Sequence, residues 1–373
     1  MLSRPLPGSL ARALAAGAAA VLVLGAAPAV SAHDHHDRPG HHDRPGHADR
    51  NAPLRSLAAR QDLRIGTAVD TTALAGDRTY RSLTAREFDS VTAENVMKWE
   101  VVEPERGTYD WSQADALVAF AERHGQAVRG HTLVWHNQLP AWLTSGVADG
   151  SIGPTELRGI LRDHITTQVR HFKGDIYQWD VVNEVFNDDG TLRDSLWLRQ
   201  LGPSYIADAF RWAHAADPRA RLFLNDYNVE GVNAKSTAYH ELARTLRAQG
   251  VPVHGFGIQG HLDIQYGFPG DVRANLERFA ALGMQTAFTE VDVRMDLPAD
   301  DTKLARQADD YRRLLDACLG VRSCTSFTVW GFTDTYSWVP GWFDGQGAAN
   351  LLDEDFAPKP AYDAVRRELS SGR

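Results

Sequence analysis

Short apolar runs alternate with longer amphipathic stretches through most of this 373-residue chain. Eight runs rich in apolar and β-branched residues occupy positions 63–69, 90–94, 127–133, 176–182, 221–225, 255–259, 285–289 and 326–330. Between them, apolar residues recur at helical spacing over 154–172, 203–216, 234–249, 271–282 and 304–319. Strands that alternate with helices pair in parallel, because each helix returns the chain to the same edge of the sheet. The sequence therefore predicts an α/β protein built on a parallel sheet.

Polar residues at the ends of these runs distinguish a closed barrel from an open, doubly wound sheet. Groups that a buried strand should avoid end nearly every run: Asp70, Glu94, Asn95, His131, Trp135, His136, Asn183, Glu184, Asn225, Asp226, Gln259, His261, Glu290, Asp292 and Trp330. An open sheet concentrates its ligand contacts at a switch point, on fewer strands. Polar ends on all eight strands favour a single (β/α)8 TIM barrel whose carboxyl-terminal face forms one shared site.

Glu184 and Glu290 are the candidate catalytic residues. Each follows an apolar run and has a polar neighbour that can orient it, as Asn183 can orient Glu184. Cleavage of a glycosidic bond needs one carboxylic acid to protonate the leaving oxygen and one carboxylate beneath the anomeric carbon. The alternative for a single glutamate at a strand end is a salt bridge to a loop arginine or lysine. Two glutamates at one barrel mouth favour glycoside hydrolysis.

Tryptophans are abundant in or near the predicted loops of the same face. They are Trp99, Trp135, Trp142, Trp330, Trp338 and Trp342. Aromatic rings offer flat apolar platforms to pyranose rings, while Asn, Gln, His and Lys can hydrogen-bond the sugar hydroxyls. Burial in the core is the alternative for any single tryptophan. The cluster as a whole favours a sugar-binding surface.

Two other classes of barrel protein fit the sequence less well. A metal-dependent hydrolase usually has a His-x-His pair at the end of an early strand, whereas the first run here ends in Val69 and Asp70. We therefore expect neither a metal nor another cofactor. A non-catalytic sugar-binding barrel would keep the tryptophans but would have little reason to keep both glutamates. Among enzymes, a β-1,4-glucanase is the nearest alternative.

Seven segments resemble glycoside hydrolase family ten endo-xylanases. In the order of the family they are TAENVMKW at 92–99, GHTLVWH at 130–136, WDVVNE at 179–184, NDYN at 225–228, GIQGH at 257–261, TEVD at 289–292 and VWG at 329–331. The resemblance extends from about residue 63 to residue 369. It implies a (β/α)8 barrel that hydrolyses internal bonds of β-1,4-xylan with retention of configuration, and that binds xylan and xylo-oligosaccharides.

The resemblance also implies a role for individual residues. Glu184 would be the acid/base and Glu290 the nucleophile, with Asn183 holding the 2-hydroxyl beside the cleaved bond. Tyr227 and Asn228 would face the aglycone, and His261, at the sugar site, would bridge Glu290 and Asp292 to keep the nucleophile ionised. Contacts on the glycone side would come from Glu94, Asn95, Lys98, His131, Trp135, Gln259, Trp330 and Trp338.

The amino-terminal residues predict export. Arg4 and Arg12 precede an uncharged apolar stretch at 13–30 that ends in Ser31 and Ala32, which is typical of a secretory signal peptide over 1–32. A membrane anchor is the alternative. The polar stretch 33–56 repeats HHDRPG at 35–40 and 41–46; we expect a disordered tail, with metal binding as the alternative. The catalytic domain would then occupy 57–373 of a secreted, extracellular protein, with no appended carbohydrate-binding module.

Charge and cysteine content limit the partners. The formal net charge of −9 disfavours nucleic-acid binding. After cleavage of the leader we expect no membrane association and a monomer. Cys318 and Cys324 are the two cysteines, and in an exported protein their spacing suggests a local disulfide, with two buried thiols as the alternative. The family resemblance implies the disulfide as well.

Overall fold

The computed structural model describes residues 52–371. The predicted signal peptide and residues 33–51 of the predicted tail lie outside the described residues. The boundary at residue 56 is wrong by a few residues, because the first helix already begins at Leu54. Leu54 and Leu57 are fully buried, and the Leu54 amide donates to Glu87 Oε2 over 2.9 Å. Burial of these leucines draws residues 54–56 into the folded domain.

Eight parallel strands form the barrel. They are β1 (Arg64–Val69), β2 (Ser90–Ala93), β3 (Ala127–Gly130), β4 (Ile176–Asn183), β5 (Arg221–Asp226), β6 (Gly255–Ile258), β7 (Gln285–Asp296) and β8 (Cys324–Val329). Each strand pairs with the next in the chain, and β8 pairs back with β1, where Ile65 lies opposite Phe327. The predicted closed (β/α)8 barrel is therefore confirmed.

Helices connect the strands. They are α1 (Leu54–Ala59), α2 (Thr71–Gly76), α3 (Arg78–Glu87), α4 (Trp99–Val102), α5 (Ser112–Arg123), α6 (Ala141–Ala148), α7 (Pro154–His171), α8 (Leu196–Leu201), α9 (Ser204–Ala216), α10 (Ala234–Ala248), α11 (Val272–Ala281), α12 (Asp301–Leu319), α13 (Val339–Trp342) and α14 (Pro360–Ser370), with a 3-10 turn at Asp334–Tyr336. The long helices bury one stripe each. In α7, residues Leu157, Leu161, Ile165 and Val169 are fully buried, as their spacing predicts.

Strand β7 is much longer than its sequence pattern predicts. The apolar run stops at Thr289, but the strand continues to Asp296. Two short strands support the extension: His261–Asp263 pairs with it in parallel, and Gln346–Gly347 pairs antiparallel with its last residues. Glu290 consequently lies inside a hydrogen-bonded strand, whereas the sequence placed it just beyond one. A paired backbone holds its side chain more firmly than a loop would.

Cys318, near the end of α12, and Cys324, at the start of β8, form the predicted disulfide, with an S–S distance of 2.05 Å. No helix within residues 52–371 combines the length and the apolar character needed to cross a bilayer.

Candidate active site

The two candidate glutamates lie at the carboxyl-terminal rim of the barrel and are joined by side-chain amides. Asn225 Nδ2 donates to Glu290 Oε1 over 2.7 Å and to Asn183 Oδ1 over 2.9 Å. Gln259 Nε2 lies 3.3 Å from the same Asn183 oxygen and 3.2 Å from Glu184 Oε1. A continuous hydrogen-bonded path therefore connects the two carboxyl groups, which places both on the same surface.

The backbone of Glu184 has a left-handed conformation, with φ of +58°. Its amide donates to the Asn225 carbonyl, and its own carbonyl accepts from Arg193 Nε, both over 2.9 Å. The next amide, that of Val185, donates to the Tyr239 hydroxyl. These bonds hold a conformation that side chains with a Cβ seldom adopt. Glu184 is thus fixed at the turn where β4 ends.

The contacts of the Glu184 side chain are mainly neutral. Glu184 Oε1 accepts from Gln259 and, over 3.3 Å, from Asn183 Nδ2. His136 Nδ1 lies 4.0 Å from the other carboxyl oxygen. Burial lowers the pKa of His136, although Glu184 opposes this effect, so the ring is neutral at neutral pH. Amides can hydrogen-bond a carboxyl group in either protonation state.

Cationic groups surround Glu290 instead. His261 Nε2 lies 3.3 Å from Glu290 Oε2, and its Nδ1 lies 2.9 Å from Asp292 Oδ1, so the ring bridges the two carboxylates as the resemblance implies. Burial lowers the pKa of His261, but the Asp292 charge and the bonds to both carboxylates outweigh it and raise the pKa to about 10. His261 is therefore protonated at neutral pH and donates from both ring nitrogens.

Arg129 is a second cation at Glu290, and sequence analysis did not single it out. Its side chain is 1% exposed; it pairs with Asp180, donates to the Thr289 carbonyl over 2.7 Å and lies 3.5 Å from Glu290 Oε1. His131 also binds Asp180, with 2.9 Å between Nδ1 and Oδ2. A charged residue inside an otherwise apolar run was the one available signal for this network.

The environment of Glu290 favours its ionised form. Burial alone would raise the pKa of Glu290, but His131, the hydrogen bond from His261 and the Arg129 guanidinium together lower it to about 2. His131, Asp180 and Glu290 also have ligand atoms within 4.8 Å of one another, a spacing that a metal ion could use. Arg129 already contacts both carboxylates there and supplies the positive charge.

Several predicted glycone contacts form one cluster. Lys98 Nζ donates to Asn95 Oδ1 over 2.8 Å and lies 5.1 Å from the centre of the Trp135 ring. Burial is the main cause that lowers the pKa of Lys98, while the charges of Glu290 and Glu94 oppose it. Burial and the charge of Asp70 raise the pKa of Glu94 to about 7. The structure thus brings Glu94, Asn95, Lys98 and Trp135 to the side of the nucleophile.

Trp330 and Trp338 flank the same region. Trp330 meets the His131 ring edge-on, with centroids 5.3 Å apart, and is almost buried. Trp338 Nε1 donates to Asp292 Oδ2 over 2.7 Å, and its ring lies 5.1 Å from that of His261. Trp342 lies beside Trp338 and is 71% exposed. These rings form an aromatic wall next to Glu290.

Trp99 does not belong to that surface, so its interpretation as a sugar platform is wrong. It is 3% exposed and lies between the ring of His164, at 3.6 Å, and that of Trp197, at 5.5 Å. Its Nε1 donates to Glu103 Oε2 over 2.9 Å. Trp142 is half-buried and donates to the Glu103 carbonyl. Trp99 stabilises the core beneath the rim.

The predicted aglycone residues lie on the Glu184 side. The Tyr227 hydroxyl accepts from Arg193 Nη2 over 2.8 Å, and Lys235 Nζ lies 3.5 Å from the centre of its ring. Because Arg193 also binds the Glu184 carbonyl, Tyr227 and Glu184 share one support. Asn228 is exposed and lies within 3.3 Å of Asp188. These residues extend the site away from Glu290.

A (β/α)8 barrel with two buried rim glutamates, one held by cations and one by amides, defines a glycoside hydrolase. Comparison with known proteins agrees, since glycosyl hydrolase family 10 matches residues 53–368. The chain belongs to glycosyl hydrolase family 10.

Characterised relatives cover nearly the whole barrel. An endo-1,4-beta-xylanase from Agaricus bisporus is 46% identical over 315 residues, covering 84% of this chain and 93% of the relative. The crystal structure of xylanase 10B from Thermotoga petrophila RKU-1 in complex with xylobiose is 44% identical, with a TM-score of 0.82, and covers 86% of this chain and 97% of that one. A mutant of the intracellular xylanase from Thermoanaerobacterium saccharolyticum, in complex with xylotetraose, is 37% identical, with a TM-score of 0.78, and covers 84% and 98%.

Proposed function

We propose that this chain is a secreted endo-1,4-β-xylanase that hydrolyses internal bonds of xylan with retention of anomeric configuration. The observation that carries the proposal is the unequal surroundings of Glu184 and Glu290 on one rim. Glu290 contacts Arg129 and His261 as well as the Asn225 amide, whereas the hydrogen bonds to the Glu184 side chain come from amides. A retaining hydrolase needs one carboxylate that is ionised in the free enzyme and one carboxyl group that gives up and regains a proton.

The proposed reaction is a double displacement. Glu290 attacks the anomeric carbon while Glu184 protonates the leaving oxygen, which produces a covalent glycosyl-enzyme. Glu184 then removes a proton from water, and the water oxygen replaces Glu290 at the anomeric carbon. Arg129 and His261 lose an ionic partner when Glu290 becomes an ester, and regain it at the second step. They therefore hold the nucleophile in place and stabilise it as a leaving group.

Neighbouring residues supply the binding contacts in this proposal. Asn225 Nδ2 and Gln259 Nε2 both donate to Asn183 Oδ1, which links Asn183 to each of the two glutamates. This position suits a contact from Asn183 to the 2-hydroxyl of the reacting sugar. Lys98 would bind on the glycone side and Tyr227 on the aglycone side. The xylobiose and xylotetraose bound by relatives support xylo-oligosaccharides as ligands.

Incubation with xylan tests the activity, and proton NMR of the first products tests the stereochemistry. We expect new reducing ends, with the β-anomer appearing first. If the α-anomer appears first, retention is excluded. If no new reducing ends appear, the chain is a sugar-binding protein without hydrolase activity. A soluble β-1,4-glucan in the same assay distinguishes a glucanase, and a strong chelator tests for a metal-dependent hydrolase. We expect slow or no hydrolysis of the glucan and full activity with the chelator.

Export is part of the proposal. The apolar stretch after Arg12 and the Cys318–Cys324 disulfide support it, since structural disulfides persist in oxidising compartments. Because one relative is intracellular, family membership does not decide the location. Expression of the full chain in a secreting host, followed by amino-terminal sequencing of the protein from the medium, provides the test. We expect His33 as the first residue; a cell-bound chain with an intact leader would contradict export.

A further inference from the structure

A cavity of about 680 Å³ opens at the end of the barrel opposite the two glutamates. The first residues of four strands line it: Arg64 of β1, Ile176 of β4, Arg221 of β5 and Gln285 of β7. Because the strands are parallel, their first residues all lie at the amino-terminal end of the barrel. We call this cavity, defined by those four residues, the floor cavity. It is large enough for a small organic molecule.

Three guanidinium groups line the floor cavity, those of Arg64, Arg219 and Arg221. Within residues 52–371, none of the three has an ion pair or a hydrogen-bonded side-chain partner. The guanidinium of Arg64 also lies over the ring of Tyr177, 4.6 Å from its centre. The unused donors of the three arginines are concentrated in one place.

Aspartates also line the floor cavity, but the backbone uses two of them. Asp89 Oδ1 accepts from the Ile65 amide over 2.9 Å. Asp217 accepts from the Gly174 and Arg219 amides, over 3.2 and 3.0 Å. Asp62 is the third carboxylate on the wall. Neither Asp89 nor Asp217 forms an ion pair with a cavity arginine. Burial raises the pKa of Asp89 to about 6, and the charge of Arg64 opposes this effect.

The positive charge at the floor cavity also acts on a nearby histidine, His254. Burial and then the charge of Arg221 lower the pKa of His254 to about 4.

We propose that the floor cavity binds the oxyanion group, carboxylate or phosphate, of a small molecule. The planar guanidinium of arginine matches the two oxygens of such a group. Two sources offer this chemistry, a free phosphate ion and the carboxylate of an acidic sugar. The site is separate from the rim, so the inference does not depend on the proposed xylanase activity.

Isothermal titration of the full chain with inorganic phosphate, glucuronate and xylose tests the proposal. Xylose resembles glucuronate in ring form but lacks its carboxylate. We expect phosphate or glucuronate to bind, with an affinity that falls as salt is added, and xylose not to bind at this site. Binding of glucuronate alone identifies an acidic sugar as the ligand; binding of phosphate alone identifies a free ion.

Arginine variants assign any binding to the floor cavity. The double variant Arg64→Gln/Arg221→Gln should weaken anion binding at least about 10-fold, which is the loss of roughly one charge-assisted bond. Arg162→Gln, on the exposed face of α7, is the matched control and should bind as the unchanged chain does. If the double variant unfolds, Arg219→Gln replaces it. Equal binding by variant and control, or no binding of either anion, would overturn the proposal.

Rim activity provides an independent readout. The Arg64 and Arg221 variants should hydrolyse xylan at the unchanged rate, because neither side chain reaches the rim. A failure of anion binding would not affect the proposal of hydrolysis at the rim. A failure of hydrolysis would not affect the proposal of anion binding in the floor cavity.

Discussion

Glu184 and Glu290 are identical side chains in two different environments. Glu290 lies against Arg129 and His261, whose charges favour a permanent carboxylate. Glu184 lies against Asn183 and Gln259, which accept or donate without imposing a charge. The neighbours, and not the glutamates themselves, divide the chemistry between nucleophile and acid/base. Each of the following variants tests one side of that difference.

Replacement of Glu290 by Gln should have the largest effect. The amide keeps the size of the side chain but cannot attack the anomeric carbon, so kcat on xylan should fall by at least about 10⁴-fold. Reducing-end release measured against the unchanged chain provides the comparison. A residual rate above about one per cent of the original would remove Glu290 from the nucleophile role.

Glu184→Ala should affect substrates unequally. Xylan needs a proton on its leaving oxygen, so its kcat/KM should fall about 10²–10⁴-fold. An aryl xyloside with a good leaving group needs no such proton, and its glycosylation step should be much less affected. Parallel assays of both substrates provide the measurement, and equal losses on both would contradict the acid role.

Arg129→Lys should weaken the cationic side of the comparison. A lysine ammonium cannot hold Asp180, the Thr289 carbonyl and Glu290 together, because it lacks the planar fork of the guanidinium. We expect kcat/KM to fall roughly 10–100-fold, the loss of about one charge-assisted bond. The pKa of Glu290 should rise, so the acid limb of the pH profile should move to higher pH. Arg64→Lys at the floor cavity is the matched control and should change neither; an unmoved acid limb in Arg129→Lys would make Arg129 purely structural.

His261→Gln should have a smaller effect on rate, about 10-fold, and should also move the acid limb upward. Its clearer signature is in stability. The pKa of His261 is about 10 when folded, above the value of roughly 6.5 expected when unfolded. The protonated ring therefore stabilises the fold fully below about pH 6.5, and the benefit is lost as pH rises through 10. Urea unfolding of both proteins at pH 6 and pH 10 should show a difference in unfolding free energy that shrinks at the higher pH. A constant difference would contradict a charged His261.

The fold was predictable because its signal is local. Runs of apolar residues alternate with helical stretches in sequence, and polar residues end each run, so neither feature requires knowledge of distant contacts. The end of β7 was the exception. The strand continues through Glu290 and Asp292 because His261–Asp263 pairs with it, and that short strand carries no apolar run of its own.

The site was predictable in its residues but not in all its contacts. Arg129 was missed because its partners, Asp180 and Glu290, are 51 and 161 positions away in sequence. Trp99 was misassigned for the same reason, since the rings that cover it belong to α7 and α8. Asn225 lies in a recognised motif, but its bond to Glu290 appears only when β5 and β7 are in place.

The left-handed backbone at Glu184 links the catalytic activity of this barrel to its thermal stability. A residue with a Cβ in that conformation destabilises the folded state by roughly 1 kcal/mol relative to glycine. Glu184→Gly should therefore give an inactive protein whose melting temperature is no lower than that of the original. A higher melting temperature would mean that the conformation which orients the Glu184 carboxyl group lowers the stability of the active enzyme. A melting temperature several degrees lower would show that the bonds around residue 184 relieve that cost.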